Sequence, residues 1–259
     1  MYAYWWTGAK NFGDLLNPLL IKKISGTTPI NLYPIKDTID SNKIKEINLV
    51  IGSILQQDYS NFEKKVNIWG TGFIHNKWNP FLKPKKVCAV RGPLTRKILL
   101  NSGINCPEIY GDPALLYPNY YKPKLKKKYK LGIVAHWSEK NSNLLENFKD
   151  KEDVLIIDVQ KRIKKIINQI CKCELIASSS LHGLIISDAY KIPSTWVFFE
   201  RKTQPYFKYL DYFLSVGRKD KKPLLIEKRT KLSDIYKRFY DYEIEIDLDK
   251  LYDACPFKK

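Results

Sequence analysis

The chain has little that could hold a metal, form a disulfide framework or span a membrane. Its three histidines, His75, His136 and His182, stand far apart with no metal-ligand spacing. Five cysteines are an odd number, and Cys171 and Cys173 form a C-x-C with no second Cys/His pair nearby. All five are expected to be free thiols in a reducing compartment. No apolar run approaches the length of a transmembrane helix. The opening MYAYWWTGAKNFGD lacks the charged start and apolar core of a secretory signal, so a cytoplasmic location is expected. There is no G-x-x-x-x-G-K-[ST] loop, no complete G-x-G-x-x-G and no internal repeat.

What is present is a globular composition, 44% hydrophobic and 28% charged, over 259 residues. That length fits one large domain or two of about 120 residues each. Lysine and arginine outnumber the acids 45 to 27, a formal charge of +18. Such an excess attracts polyanions, acidic membrane surfaces or phosphorylated substrates without choosing among them. No nucleic-acid-binding motif accompanies it, so no nucleic-acid partner is expected.

Short apolar runs ending in Gly-bearing turns alternate with amphipathic stretches. Strands are expected at Tyr2–Trp6, Asn48–Ile51, Val66–Trp69, Val87–Val90 and Ile109–Tyr110, with helices at Leu15–Ile24 and Leu94–Leu100. After the Pro/Lys-rich stretch 118–130 the rhythm restarts. Strands follow at Leu131–Ala135, Val154–Val159 and Ser194–Phe199, helices at Asn141–Phe148, Lys161–Ile170 and Thr203–Val216, and short amphipathic pieces in the tail, Leu232–Tyr240 among them. This alternation predicts an α/β protein with two Rossmann-like domains, 1–120 and 131–259, joined by a linker at 121–130, the last helices packing back on the first domain. Strand ends then face each other across a cleft, where ligands of parallel sheets bind.

The most informative stretch is ELIASSSLHGLIISDAYKIP, Glu174 to Pro193. It reads as a buried strand, a serine turn and a helix, with N-cap oxygens from Ser178 to Ser180. The unpaired N–H groups and the positive dipole end make that mouth an anion site, with His182 in its first turn. A well-capped helix with a packed histidine satisfies the same pattern. Asp14, after Asn11-Phe12-Gly13, is either an N-terminal charge favoured by the dipole or a carboxylate that orients sugar hydroxyls. Arg91, at a strand end before Gly92-Pro93, either forks onto a carboxylate or phosphate, or forms a salt bridge, Asp112 being the partner in view. Asp112 itself reads as a backbone-capping residue.

The segments IASSSLHGLIISDAYKIP (176–193), AVRGPLTRKILLNSGI (89–104) and IYGDPALLYP (109–118) resemble the polysaccharide pyruvyl transferase family. YWWTGAKNFGDLLNP (4–18), WGTGF (69–73) and FKYLDYFLSVGR (207–218) look like the branch containing the xanthan ketal pyruvyltransferase. The resemblance implies a fold similar to two-domain GT-B glycosyltransferases. It also implies a reaction in which phosphoenolpyruvate, a donor substrate rather than a cofactor, forms a pyruvate ketal on two hydroxyls of one sugar. No metal is required. His182 is then the general acid/base, with Asp14 beside it. Arg91, Ser179, Ser180, Leu181 and Gly183 hold the donor, and Trp5, Trp6, Asn11, Trp69 and Gly72 face the acceptor. Many members carry arginine before the LHG leucine where this chain has Ser180. A cation is therefore expected from elsewhere, Arg218 first, then Arg201 and Lys208. The implied acceptor is a glycan repeat unit on a polyprenyl-pyrophosphate carrier, which would place the protein peripherally against an anionic membrane. Rival readings are a glycosyltransferase using a nucleotide sugar and a non-catalytic polysaccharide-assembly protein.

Overall fold

The computed structural model describes residues 1–199 and 205–259. Two five-stranded sheets, parallel at every pairing, carry the two halves of the chain. The first contains β1 (Tyr2–Tyr4), β2 (Ile30–Asn31), β3 (Ile47–Leu49), β4 (Val66–Trp69) and β5 (Lys86–Ala89), in the order β2-β1-β3-β4-β5. The second contains β6 (Tyr129–Val134), β7 (Val154–Ile156), β8 (Cys173–Ser178), β9 (Ser194–Phe198) and β10 (Leu224–Leu225), in the order β10-β9-β8-β6-β7. In each sheet the chain first adds a strand on one side and then returns to the other. The order reverses between β1 and β3, and again between β6 and β8. Loops leaving the carboxyl ends of such strand pairs diverge and open a crevice.

The helices are α1 (Phe12–Ser25), α2 (Pro93–Asn101), α3 (Ile163–Cys171), α4 (Leu181–Ala189), α5 (Phe207–Ser215) and the short α6 (Leu232–Tyr236) and α7 (Leu248–Asp253). In α3, Ile163, Ile166, Ile167 and Ile170 recur at helical spacing and are all buried. They join Phe12, Leu16 and Leu20 of α1, and Leu184 and Ile185 of α4, in one apolar cluster that crosses between the halves. The chain end returns to the first half as well: Trp69 Nε1 donates to the Leu251 carbonyl of α7 at 2.8 Å.

Several expected elements differ in extent. α1 begins at Phe12 rather than Leu15. Asn143–Phe148 forms a 3₁₀ helix, and Ile109–Tyr110 contributes a single bridge, Val90 to Tyr110. Residues 121–128 carry no regular element, and β6 starts at Tyr129. β2, β10 and α7 have too few residues to show periodicity. All five cysteines are free.

A buried ion pair also ties the halves. Arg91, just past β5, is fully buried; its Nε donates to Asp211 Oδ2 of α5 at 3.0 Å. The remaining guanidinium nitrogens donate to Ser53 Oγ and to the Phe73 carbonyl, both at 2.6 Å. Asp211 also accepts from the Thr95 N–H (2.9 Å) and hydroxyl (2.7 Å) at the start of α2. The salt-bridge alternative for Arg91 is thus the one realised, with Asp211 as the acid. Removing one member strands a charge in the interior. Asp211→Ala is expected to lower unfolding stability by about 3–5 kcal/mol, read from urea denaturation. An unchanged midpoint would show that the pair contributes nothing net.

Candidate active site

The two crevices join in one cleft of about 340 Å³. Trp6, Asn11, Asp14 and Ser53 line it from the first half, and His136, Trp137, Ser180, His182 and Lys208 from the second. Most of these residues follow β1, β3, β6 and β8, the strands on either side of the two reversals, and Lys208 follows β9.

Each residue of Asn11-Phe12-Gly13-Asp14 has a separate task at the mouth of α1. Phe12 is buried in the shared core. The Asn11 side chain does not cap the helix; its Nδ2 donates to Asp14 Oδ2 at 2.5 Å. The Trp6 N–H donates to the other carboxylate oxygen at 3.3 Å. Gly13 leaves room for a ring, since a Cβ there would lie 2.1 Å from His182 Nδ1. Pro18, inside α1, has no N–H for the Asp14 carbonyl. Asn17 Nδ2 takes that place at 3.2 Å and also bonds the Ile51 backbone, fixing the loop that carries Ser53 to the helix carrying Asp14.

The mouth of α4 is built as tightly. Ser180 is its N-cap, the hydroxyl accepting from the Gly183 N–H at 3.4 Å. Gly183 packs so closely that a Cβ would meet Ser178 Oγ at 2.2 Å. Ser179 is buried behind the cleft, where its Oγ accepts from the His136 N–H (2.9 Å) and its carbonyl from the Tyr209 hydroxyl (2.6 Å). His182, buried to 7% exposure, brings Nε2 within 3.3 Å of Asp112 Oδ2. The contact is not aligned as a hydrogen bond, and neither atom has another partner among the described residues. Catalytic hydrogen bonds are often long before substrate arrives. Asp112 Oδ1 meanwhile caps the Ala114 N–H at 3.0 Å, so the capping expectation accounts for one oxygen and leaves the other for the imidazole.

Burial sets the charges. It raises Asp14 from its ordinary range to about 6, opposed by His182 and by the Asn11 hydrogen bond. It lowers His136 to about 3, assisted by Lys208 and His182. Burial also pulls Lys208 down to about 7, with Arg91 pushing the same way and Glu139 and Asp14 opposing. Glu139, fully buried after β6, was invisible in the sequence because it lies in a polar stretch between two expected elements.

The structure brings His182, Asp14, Asn11, Trp6, Ser180 and Leu181 together on the cleft. Others stand elsewhere. Arg91 is committed to Asp211, one layer behind Ser53, and Gly72 lies against that guanidinium. Trp5 and Trp69 are packed in the core. Arg218, first choice for the extra cation, is held by Asp188, Asp220, Ser194 and Tyr242 and stacked between Phe213 and Tyr242, at the far end of α4. Lys208 is the Lys or Arg side chain that lines the cleft among the described residues; Arg201 lies outside them. No group of three or more His, Cys, Asp or Glu side chains among the described residues is placed to hold a metal ion.

The chain is 28% identical over 219 residues to the succinoglycan biosynthesis protein ExoV of Rhizobium meliloti (strain 1021), covering 83% of this chain and 64% of that protein. It is also 28% identical over 225 residues to the uncharacterized protein L143 of Acanthamoeba polyphaga mimivirus, covering 84% of this chain and 75% of the other. The chain therefore spans rather less than two thirds of ExoV. The polysaccharide pyruvyl transferase family profile matches residues 11–197, from the mouth of α1 through both halves of the cleft to β9. The chain belongs to the polysaccharide pyruvyl transferase family.

Proposed function

We propose that this protein transfers the pyruvyl unit of phosphoenolpyruvate onto two hydroxyls of one sugar in a cell-surface or exopolysaccharide repeat unit, as a ketal. The observation that carries this reading is the meeting, in one cleft, of the α4 mouth, the His182–Asp112 pair and the Lys208 ammonium. Family membership and the part ExoV's name gives it in succinoglycan biosynthesis support a polysaccharide acceptor. The donor carries a phosphate and a carboxylate; Lys208, Ser180 and the N–H groups of the α4 mouth suit those charges. Residues 1–120 and 131–259 would act as two GT-B-like domains, the first facing the acceptor through Trp6, Asn11 and Asp14.

In this mechanism His182 gives a proton to the donor's methylene carbon, and the vinyl electron pair forms the new C–H bond. C2 becomes oxocarbenium-like and is attacked by one sugar hydroxyl. The C2–O bond to phosphate then breaks, and the second hydroxyl closes the ketal. The two hydroxyl protons balance the one placed on carbon and the one leaving with phosphate. Asp112 stabilises the imidazolium from behind, as a buried carboxylate does in a triad. Asp14, as carboxylate, accepts the attacking hydroxyl's proton.

Phosphate release from phosphoenolpyruvate across a panel of acceptor glycans tests the reading; no release with any acceptor, and no stabilisation by the donor in thermal unfolding, would sink it. His182→Gln is expected to fold and to lose roughly 10²–10⁴ in turnover. Gly13→Ala should displace the ring it now accommodates and cost roughly 10², since small misplacements are that expensive. The pH profile of kcat/KM should rise through about 6, as Asp14 (raised from 3.8) ionises, and fall above about 7, as Lys208 (lowered from 10.5) loses its proton. Lys208→Arg should carry the falling limb to higher pH, because a guanidinium keeps its charge; an unmoved limb would assign it to another group.

A further inference from the structure

The loop between β4 and β5 carries a surface that the reaction above does not use. From residue 64 to residue 107 the sequence holds nine lysines and arginines and no acid. At the loop's turn Phe81 is 53% exposed, although the turn itself is firmly held. Asn79, buried beneath it, donates Nδ2 to the Leu55 and Gln57 carbonyls (2.7 and 2.6 Å) and accepts from the Phe81 N–H at 3.1 Å. Leu82 is fully buried on the other side and returns its N–H to the Asn79 carbonyl at 3.1 Å. An anchored residue on each side thus holds about half of the phenyl ring out in water, and that half contributes nothing to folding.

Its chain neighbours Pro80 and Leu82 line an open groove with Trp78, Lys64, Lys83, Lys85 and Lys86, and two glutamates answer these lysines: Glu63 to Lys83 at 3.2 Å and Glu46 to Lys85 at 2.9 Å. Both pairs are about half exposed, the kind that contributes little and is readily exchanged for other anions. An exposed aromatic ring among surplus lysines matches the chemistry of an anionic bilayer surface, apolar just below its headgroups and negatively charged at them. The turn is also bolted to the cleft wall. Gln57, which accepts from Asn79, lines the cleft, and Gln56 receives the N–H of Ile74, another lining residue, while donating to the Lys77 carbonyl.

We propose that the turn 77–86 docks this protein on a membrane leaflet rich in anionic lipid, with Phe81 entering the interface and Lys83, Lys85 and Lys86 among the headgroup phosphates. Docking there sets the cleft mouth at a fixed position near the leaflet. That position suits a lipid-carried acceptor, the one step that rests on the function proposed above.

Sedimentation of the full chain with vesicles involves no turnover, so its outcome is separate from the fate of the proposed reaction. Binding is expected to phosphatidylcholine vesicles containing phosphatidylglycerol, weak binding to phosphatidylcholine alone, and release at high salt. Phe81→Ala should weaken binding roughly tenfold or more. The triple change Lys83→Gln, Lys85→Gln, Lys86→Gln should weaken it roughly 100-fold, and the same loss of charge at Lys122, Lys124 and Lys126 far less. Equal weakening by both triples, or no effect of Phe81→Ala, would overturn the proposal, leaving overall charge as the cause of any binding seen.

Discussion

An imidazole lodged between two helix mouths is the constraint around which the cleft is built. His182 belongs to α4, but the space it fills is provided by Gly13 of α1, and the carboxylate behind it comes from Asp112 after the Val90–Tyr110 bridge. Three segments far apart in sequence must therefore hold their relative positions to within fractions of an ångström. The apolar cluster shared by α1, α3 and α4 supplies that rigidity, since close-packed interiors deform little. The Arg91–Asp211 pair adds a directional tie, because a fork of donors accepts only one arrangement of its partners.

The same packing sets the electrostatics. Asp14 and Lys208 are drawn out of water together, and desolvation penalises the charged form of each where its neighbours do not compensate. Asp14 and Lys208 are thereby moved toward neutrality from opposite sides. Groups poised in this way are sensitive to an incoming anion, which restores the lysine's charge as it binds. The cleft thus holds a carboxylate and an ammonium, each kept a short step from its neutral form.

Lysine excess and fold serve different ends. The surplus charge is spread over the chain, yet the stretch from β4 to α2 holds it without a single acid, and the turn at Phe81 lies there. That turn shares hydrogen bonds with the cleft wall through Gln56 and Gln57. The cleft wall and the turn at Phe81 are therefore tied together by a few side-chain-to-backbone hydrogen bonds.

Local grammar determined a good deal by itself. The strand–turn–helix reading of the stretch around His182 needs only residue spacing and serine capping, and the order of apolar runs and Gly turns is enough for a parallel α/β protein. Motif identity also pointed to Asp14, Asn11 and Ser180, because the mouth of a helix after a strand faces a ligand wherever the sheet places it. What sequence could not decide is which of several equally plausible cations and aromatics reach the cleft. Arg91 and Arg218 each meet a buried acid, Asp211 and Asp188, from a different part of the chain, and Lys208, one turn before Asp211 on α5, lines the cleft. Trp5 and Trp69 turn into the core and Trp6 does not. Such choices depend on pairings 30 and 120 residues apart in the chain, and on which face of a helix the other half covers. They exist only once both sheets and the core between them have formed.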